Sequence, residues 1–175
     1  MKKTGTELGP IFSAVLLFVG VACGTSLARA AEVTAAAMIA ESGVRGGLVV
    51  VVRGGDGRLA ADLGKNASFC VHDLEKDQAA VAKARAAIKA TGLYGQRVSV
   101  DLCAGSRLPY VDNAVKLLII EDGETCRMDE VMRVLTPGGV AMTHASGRWQ
   151  KTVKPWPSTI DQWTHHMPTP RTPKS

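Results

Sequence analysis

Aromatic side chains make up only 5% of this 175-residue chain, so its lysines and arginines have few stacking partners. A nucleic-acid groove interleaves the two kinds of residue. The formal charge of +5 therefore reads as solvated surface, and no nucleic-acid partner is expected. Cysteine is equally sparse: there are four, none in a Cys-x-x-Cys pair, which argues against a structural zinc site. No apolar run reaches the roughly 20 residues that a membrane span needs. Nor is there a good G-x-G-x-x-G, which leaves a dinucleotide-dependent dehydrogenase without its usual fingerprint.

What is present begins with a targeting pattern. Lys2-Lys3 precede an apolar stretch from Ile11 to Ala22, and Ala28-Arg29-Ala30 has the small-x-small form of a cleavage site. Residues 1–30 are expected to be a signal peptide, removed after Ala30 on export to the periplasm or beyond. The alternative is an uncleaved membrane anchor over residues 11–22. Cys23 does not make a good lipoprotein site, because Gly20 stands where a bulky aliphatic residue is usual. Export would leave Cys70, Cys103 and Cys126, an odd number in a compartment that permits disulfides. They read as small buried apolar residues or as functional thiols.

Beyond the leader the hydrophobic pattern alternates between strand and helix. Thr34 to Ser42 is a short Ala-rich helix stopped by Gly43. Gly47-Leu48-Val49-Val50-Val51-Val52 is the continuous β-branched run of a strand buried on both faces. Gly54, Gly55 and Gly57 follow, then an amphipathic segment from Arg58 to Leu63. Strand, glycine turn and helix together place a ligand against backbone N–H groups. Ser68 to His72 is a second strand, and Glu75 lies about twenty residues past the glycines, at the spacing of a ribose-binding carboxylate. Equally, Glu75 and Asp77 suit the N-terminus of the next helix, Asp77 to Ala90, through its dipole. Arg97 to Leu102 and Val115 to Ile120 are further strands. Met128, Val131, Met132 and Leu135 recur at helical spacing up to Pro137-Gly138-Gly139, where a last strand begins at Val140. Such βα alternation predicts an α/β, doubly wound parallel sheet over residues 31–148. The prolines after Trp149 make residues 149–175 a linker or tail.

Asp129-Glu130-Val131-Met132-Arg133-Val134-Leu135-Thr136-Pro137-Gly138-Gly139 resembles the "E-x-x-R-V-L-x-P-G-G" turn of class I S-adenosylmethionine-dependent methyltransferases. Leu108-Pro109-Tyr110-Val111-Asp112-Asn113 resembles that family's "L-P-F-x-D-N" segment. The resemblance spans Gly46 to Thr143 and implies a Rossmann-like fold, with Gly54, Gly55, Gly57 and Glu75 as cofactor-binding residues. It also shows departures. The "D-x-G-x-G-x-G" pattern becomes Val51-Val52-Arg53-Gly54-Gly55-Asp56-Gly57, so Val51 replaces the acid and Arg53 the first glycine. Ala104 stands where an adenine-contacting Asp is common, and Lys116 where an Asp often opens the fourth strand. Neighbouring strands in the family fold imply Cys70 and Cys103 as the pair to bridge, if any does. The family's C-terminal β-hairpin is not expected here, which leaves Val140 to Thr143 as an unpaired edge and suggests a truncated chain.

Asp161-Gln162-Trp163-Thr164-His165-His166 resembles a segment that joins such domains to quinoprotein-type β-propellers. The adjacent histidines are not read as a metal site. Two functions compete: a methyltransferase using S-adenosylmethionine on an unassigned acceptor, and a degenerate module serving as binding or spacer domain beside a propeller. No catalytic residue is assigned, although His144 is the best-placed base.

Overall fold

The computed structural model describes residues 34–123 and 126–157. The leader over residues 1–30 and the propeller-like segment over 161–166 lie outside the described residues. Ten elements run in the order α1 (Ala35–Ser42), β1 (Gly47–Val52), α2 (Arg58–Gly64), β2 (Phe69–Glu75), α3 (Gln78–Ala90), β3 (Val98–Leu102), β4 (Val115–Ile120), α4 (Met128–Val134), β5 (Leu135–Ala145) and β6 (Arg148–Val153). The strands form one sheet in the order β3-β2-β1-β4-β5-β6, parallel except for β5–β6. This is a Rossmann-like α/β sheet of the methyltransferase type.

Local chemistry sets the helix limits. Thr34 caps α1 by accepting the Ala37 N–H, and Gly43 ends it in the left-handed conformation. Asp77 caps α3 by accepting the Ala80 N–H at 2.8 Å. Val49, Val50, Val51 and Val52 of β1 are all buried, because helices cover both faces of the central sheet. Each such side chain contributes about 1.5–3 kcal/mol on burial. Val49, Val51, Leu63, Val71, Ala84 and Ile88 form the core beneath α1, α2 and α3. Val50, Leu118, Ile120, Val131 and Val134 form the core beneath α4. No helix crosses between β3 and β4, where residues 103–114 run as a loop.

Three expectations are corrected. The chain after Ser146 does have strand character: β6 pairs antiparallel with β5 from Val140↔Val153 to Ala145↔Arg148. The prolines misled because they begin at Pro155, after β6 has ended. So β5 is not an edge, residues 149–153 belong to the sheet, and the C-terminal antiparallel cover is at least partly present. Pro137 does not end α4 either. The helix stops at Val134, Leu135 pairs with Val115, and Val140 pairs with Leu117. Thr136 to Gly139 is thus a bulge inside β5, with Gly138 at φ +68°. Lastly, Cys70 is the second residue of β2, while Cys103 follows β3 and donates its N–H to the Glu75 carbonyl at the other end of β2. Roughly 16 Å of strand separates those ends, far beyond disulfide reach. All three of these cysteines are free; Cys70 is exposed, and burial pushes the Cys126 thiol up to about 11.

Candidate functional site

Strand order reverses between β1 and β4, and in open α/β sheets the crevice above such a reversal takes ligands. The main chain continues the sheet on both sides of it. The Arg53 N–H donates to the Leu74 carbonyl at 2.8 Å, and the Glu121 N–H to the Val52 carbonyl at 3.2 Å. Residues 53–57 after β1, the end of β2, and Glu121-Asp122 after β4 therefore surround one point.

The glycine turn has room for little else. A Cβ on Gly54 would lie 2.9 Å from Val51 Cγ1 and 3.3 Å from Asp73 Oδ1. One on Gly57 would lie 2.8 Å from both Cα and carbonyl oxygen of Ala84, so α3 packs directly on the turn. Arg53, where the family pattern has glycine, is held at φ +60°. A non-glycine residue there carries roughly 1–2 kcal/mol of strain. Its guanidinium Nη1 reaches across the crevice to Asp122 Oδ2 at 3.0 Å.

Glu75 ends β2, and its Oε1 accepts the Gly55 N–H at 2.6 Å. Burial raises its carboxyl and that hydrogen bond opposes the rise. The helix-dipole reading thus passes to Asp77, the observed cap, while Glu75 braces the turn. Gly54, Gly55 and Gly57 share one turn, and Glu75 joins it through the Gly55 N–H.

Two acidic groups escaped the sequence reading. Asp73 is fully buried, and neither carboxyl oxygen has a hydrogen-bond partner among the described residues. Burial, then Glu75, Glu121 and Asp56, pushes it up to about 8. Glu121 is raised by its own burial, Glu75 and Asp56, with His144 in partial opposition. Strand β2 runs on past His72 to Glu75 and so includes Asp73. Its spacing of two from Glu75 was the available signal, since that puts both on one face of an extended strand.

The two family-like segments turn out to be one device. Glu130 accepts the Leu108 N–H at 2.8 Å. Arg133 donates to the carbonyls of Leu108 and Tyr110 and to Asp112 Oδ1, at 3.2, 2.7 and 2.8 Å, while pairing with Glu130 at 2.7 Å. Arg133 holds the Glu130 carboxyl down at about 2. The clamp fixes Tyr110, whose hydroxyl lies 2.6 Å from His72 Nδ1, with His72 Nε2 2.9 Å from Asp101 Oδ2. His144, the best-placed candidate for a base, lies against Trp149 across β5–β6, with ring centroids 5.0 Å apart and planes tilted by 37°. Among the described residues no cluster of three or more His, Cys, Asp or Glu side chains is arranged for a metal ion, and no helix is long and apolar enough to cross a membrane.

No protein-family model matches the chain, and no curated protein matches it significantly. Solved structures do. A SAM-dependent methyltransferase from Aquifex aeolicus is 20% identical with a TM-score of 0.55, over 62% of each chain. Geranyl diphosphate C-methyltransferase from Streptomyces coelicolor, solved with Mg2+, geranyl diphosphate and S-adenosyl-L-homocysteine, is 16% identical with a TM-score of 0.56, over 62% of this chain and 42% of that one. The YcgJ protein of Bacillus subtilis is 18% identical with a TM-score of 0.55, over 62% and 48%. At these identities the likeness shows a shared fold. This chain spans 42% to 52% of the first three structures matched.

Proposed function

We propose that this chain binds S-adenosylmethionine in the crevice between β1 and β4 and is a methyltransferase-type domain. The observation that carries this reading is the glycine turn over the switch point, braced by Glu75 through a 2.6 Å hydrogen bond. The charge of the crevice agrees with it. Beyond burial, Glu75 and Glu121 both raise the Asp73 carboxyl, and a crevice crowded with carboxyl groups opposes a nucleotide phosphate. When bound, the cofactor would supply an electrophilic methyl group on sulfur. The chain's own part is to hold and orient it. Gly54 and Gly57 let the backbone approach closely, and Glu75 keeps the turn in shape. The acceptor stays unassigned.

A second reading is favoured by one observation, the Arg53–Asp122 bridge across the crevice. In it the domain is a degenerate binding or spacer module, with the crevice filled by its own arginine. Calorimetry of the full chain against S-adenosylmethionine and S-adenosylhomocysteine separates the two. The first reading expects weak saturable binding that Arg53→Gly tightens about tenfold, or about 1.4 kcal/mol. Absence of binding in both proteins leaves only the second. In this proposal residues 1–30 direct export, and the intact mass of the exported protein should begin at Ala31.

A further inference from the structure

The sheet has two edge strands, β3 and β6, and the chain treats them differently. On β3 the outward main-chain groups are largely occupied. The Val98 N–H donates to the Leu93 carbonyl at 3.2 Å, and the Val98 carbonyl accepts the Gly95 N–H at 2.9 Å. Arg85 Nη2 donates to the Val100 carbonyl at 3.2 Å. Covering of this kind keeps an edge from recruiting a further strand. β6 lacks it. Its Lys154 is bonded inward, donating its N–H to the Gly139 carbonyl at 2.9 Å and accepting the Gly138 N–H at 2.8 Å. Hydrogen bonding alternates along an antiparallel strand, so Thr152, Gln150 and Arg148 also face β5. Trp149, Lys151 and Val153 then turn their N–H and C=O groups outward, and no described residue meets them.

The charge around this edge selects its occupant. No Asp or Glu occurs between Glu130 and Asp161, whereas Arg148 and Lys151 lie on β6 and Lys154 directly follows it. None of these three cations is paired with a carboxylate among the described residues. Lys151 Nζ donates to the Glu41 carbonyl at 2.6 Å, and Lys154 Nζ to the Leu135 carbonyl at 2.8 Å and Asn113 Oδ1 at 2.6 Å. These contacts fold both lysines back onto the domain, so they flank the edge instead of masking it. An ammonium group has three donors, which leaves each lysine at least one for a carboxylate. Arg148 is exposed. A second copy of the chain fits poorly, because pairing β6 with itself sets these cations against one another, and like charges across strands are destabilising.

We propose that the outer edge of β6 is a docking site for an extended acidic segment of another protein, which adds to the sheet as a further strand. Main-chain bonds to Trp149, Lys151 and Val153 hold it, and carboxylates facing Arg148, Lys151 and Lys154 select it. The site is separate from the crevice between β1 and β4 and does not depend on the cofactor reading.

The isotopically labelled full chain is titrated with a blocked peptide of about eight residues alternating glutamate with valine, a length that spans the edge, and NMR follows amide exchange. At saturation the Trp149, Lys151 and Val153 amides should exchange at least tenfold more slowly, while those of Gln150 and Thr152, already bonded to β5, change little. The matching lysine–valine peptide should bind at least tenfold more weakly, and salt should narrow that gap. Lys151→Pro removes the central outward donor without touching the β5 ladder, since proline is tolerated where an N–H faces away from the sheet; it should weaken binding at least tenfold. Arg148→Glu should reduce the preference for the acidic peptide. Circular dichroism checks folding. Should Lys151→Pro fail to fold, the glutamate–valine peptide N-methylated at every residue carries the same test: it keeps its charge, loses its donors and should not bind. Absence of binding, equal binding of the two peptides, or protection away from the three outward amides overturns the docking site. Protection of those amides before any peptide is added also overturns it, and its rise with protein concentration would identify a second copy as the occupant.

Discussion

Asp73 has been taken out of water, and its ionisation must therefore act on the stability of the whole fold. Its carboxyl titrates near 3.8 when unfolded and is raised to about 8 when folded, chiefly by burial. Between those values the native state holds a proton that the unfolded state has released. Stability therefore falls as pH rises from about 4 to about 8 and levels off above that. Asp73→Asn keeps the shape and removes the proton. Its thermal midpoint should exceed that of the natural protein at pH 8.5 and match it closely near pH 4, a gain on the order of a few kcal/mol at the alkaline end. Equal midpoints across that range would show that the carboxyl is hydrated or paired. Asp73 left only its spacing of two from Glu75 as a trace, and Glu121 left none, because their environment depends on strands far apart in the chain. Arg53, Gly55 and Glu75 were legible, since spacing from the glycines located them. The left-handed backbone at Arg53 was foreseeable only as a departure from a pattern.

Elements were easier to read than their ends. The valine run of β1, the period of α3 and the helical spacing of α4 all came through, because burial on one or both faces leaves a periodic trace. Two features carried no such trace. β6 presents Arg148 to Val153 with a pattern of partial and full exposure, so it lacks the apolar alternation that marks a half-buried strand. The clamp between Glu130 and the loop at Leu108 to Asp112 showed as two motifs with no visible reason to occur together. Arg133 makes that reason plain, as it satisfies three acceptors on the loop and pairs with Glu130. Arg133→Ala should lower the thermal midpoint, since it leaves Glu130 and three acceptors without their donor. Arg133→Lys should recover little, because an ammonium cannot reproduce the planar fork. Hydrogen exchange would report faster opening of residues 108–113 in both variants. An unaltered exchange pattern there would mean that Leu108 and the loop are held by apolar packing alone.

At the scale of the molecule, β6 protects β5. Ending the chain at Ser146 removes the antiparallel partner of Val140 to Ala145 and uncovers a row of backbone donors and acceptors. Such a truncated protein should self-associate at concentrations where the full chain elutes as a single smaller species in size-exclusion chromatography. In the full chain the amides of Val140 to Thr143 should exchange slowly. Fast exchange there in a dilute sample would contradict the pairing. The central strand has a different dependence, and it concerns manufacture more than stability. β1 is finished at Val52, yet its partner β4 begins only at Val115, roughly sixty residues later. At translation rates of about 5–20 residues per second, the four valines wait several seconds on the ribosome with one flank bare. A codon change that slows synthesis between Val52 and Val115 would lengthen that wait without altering one residue of the product.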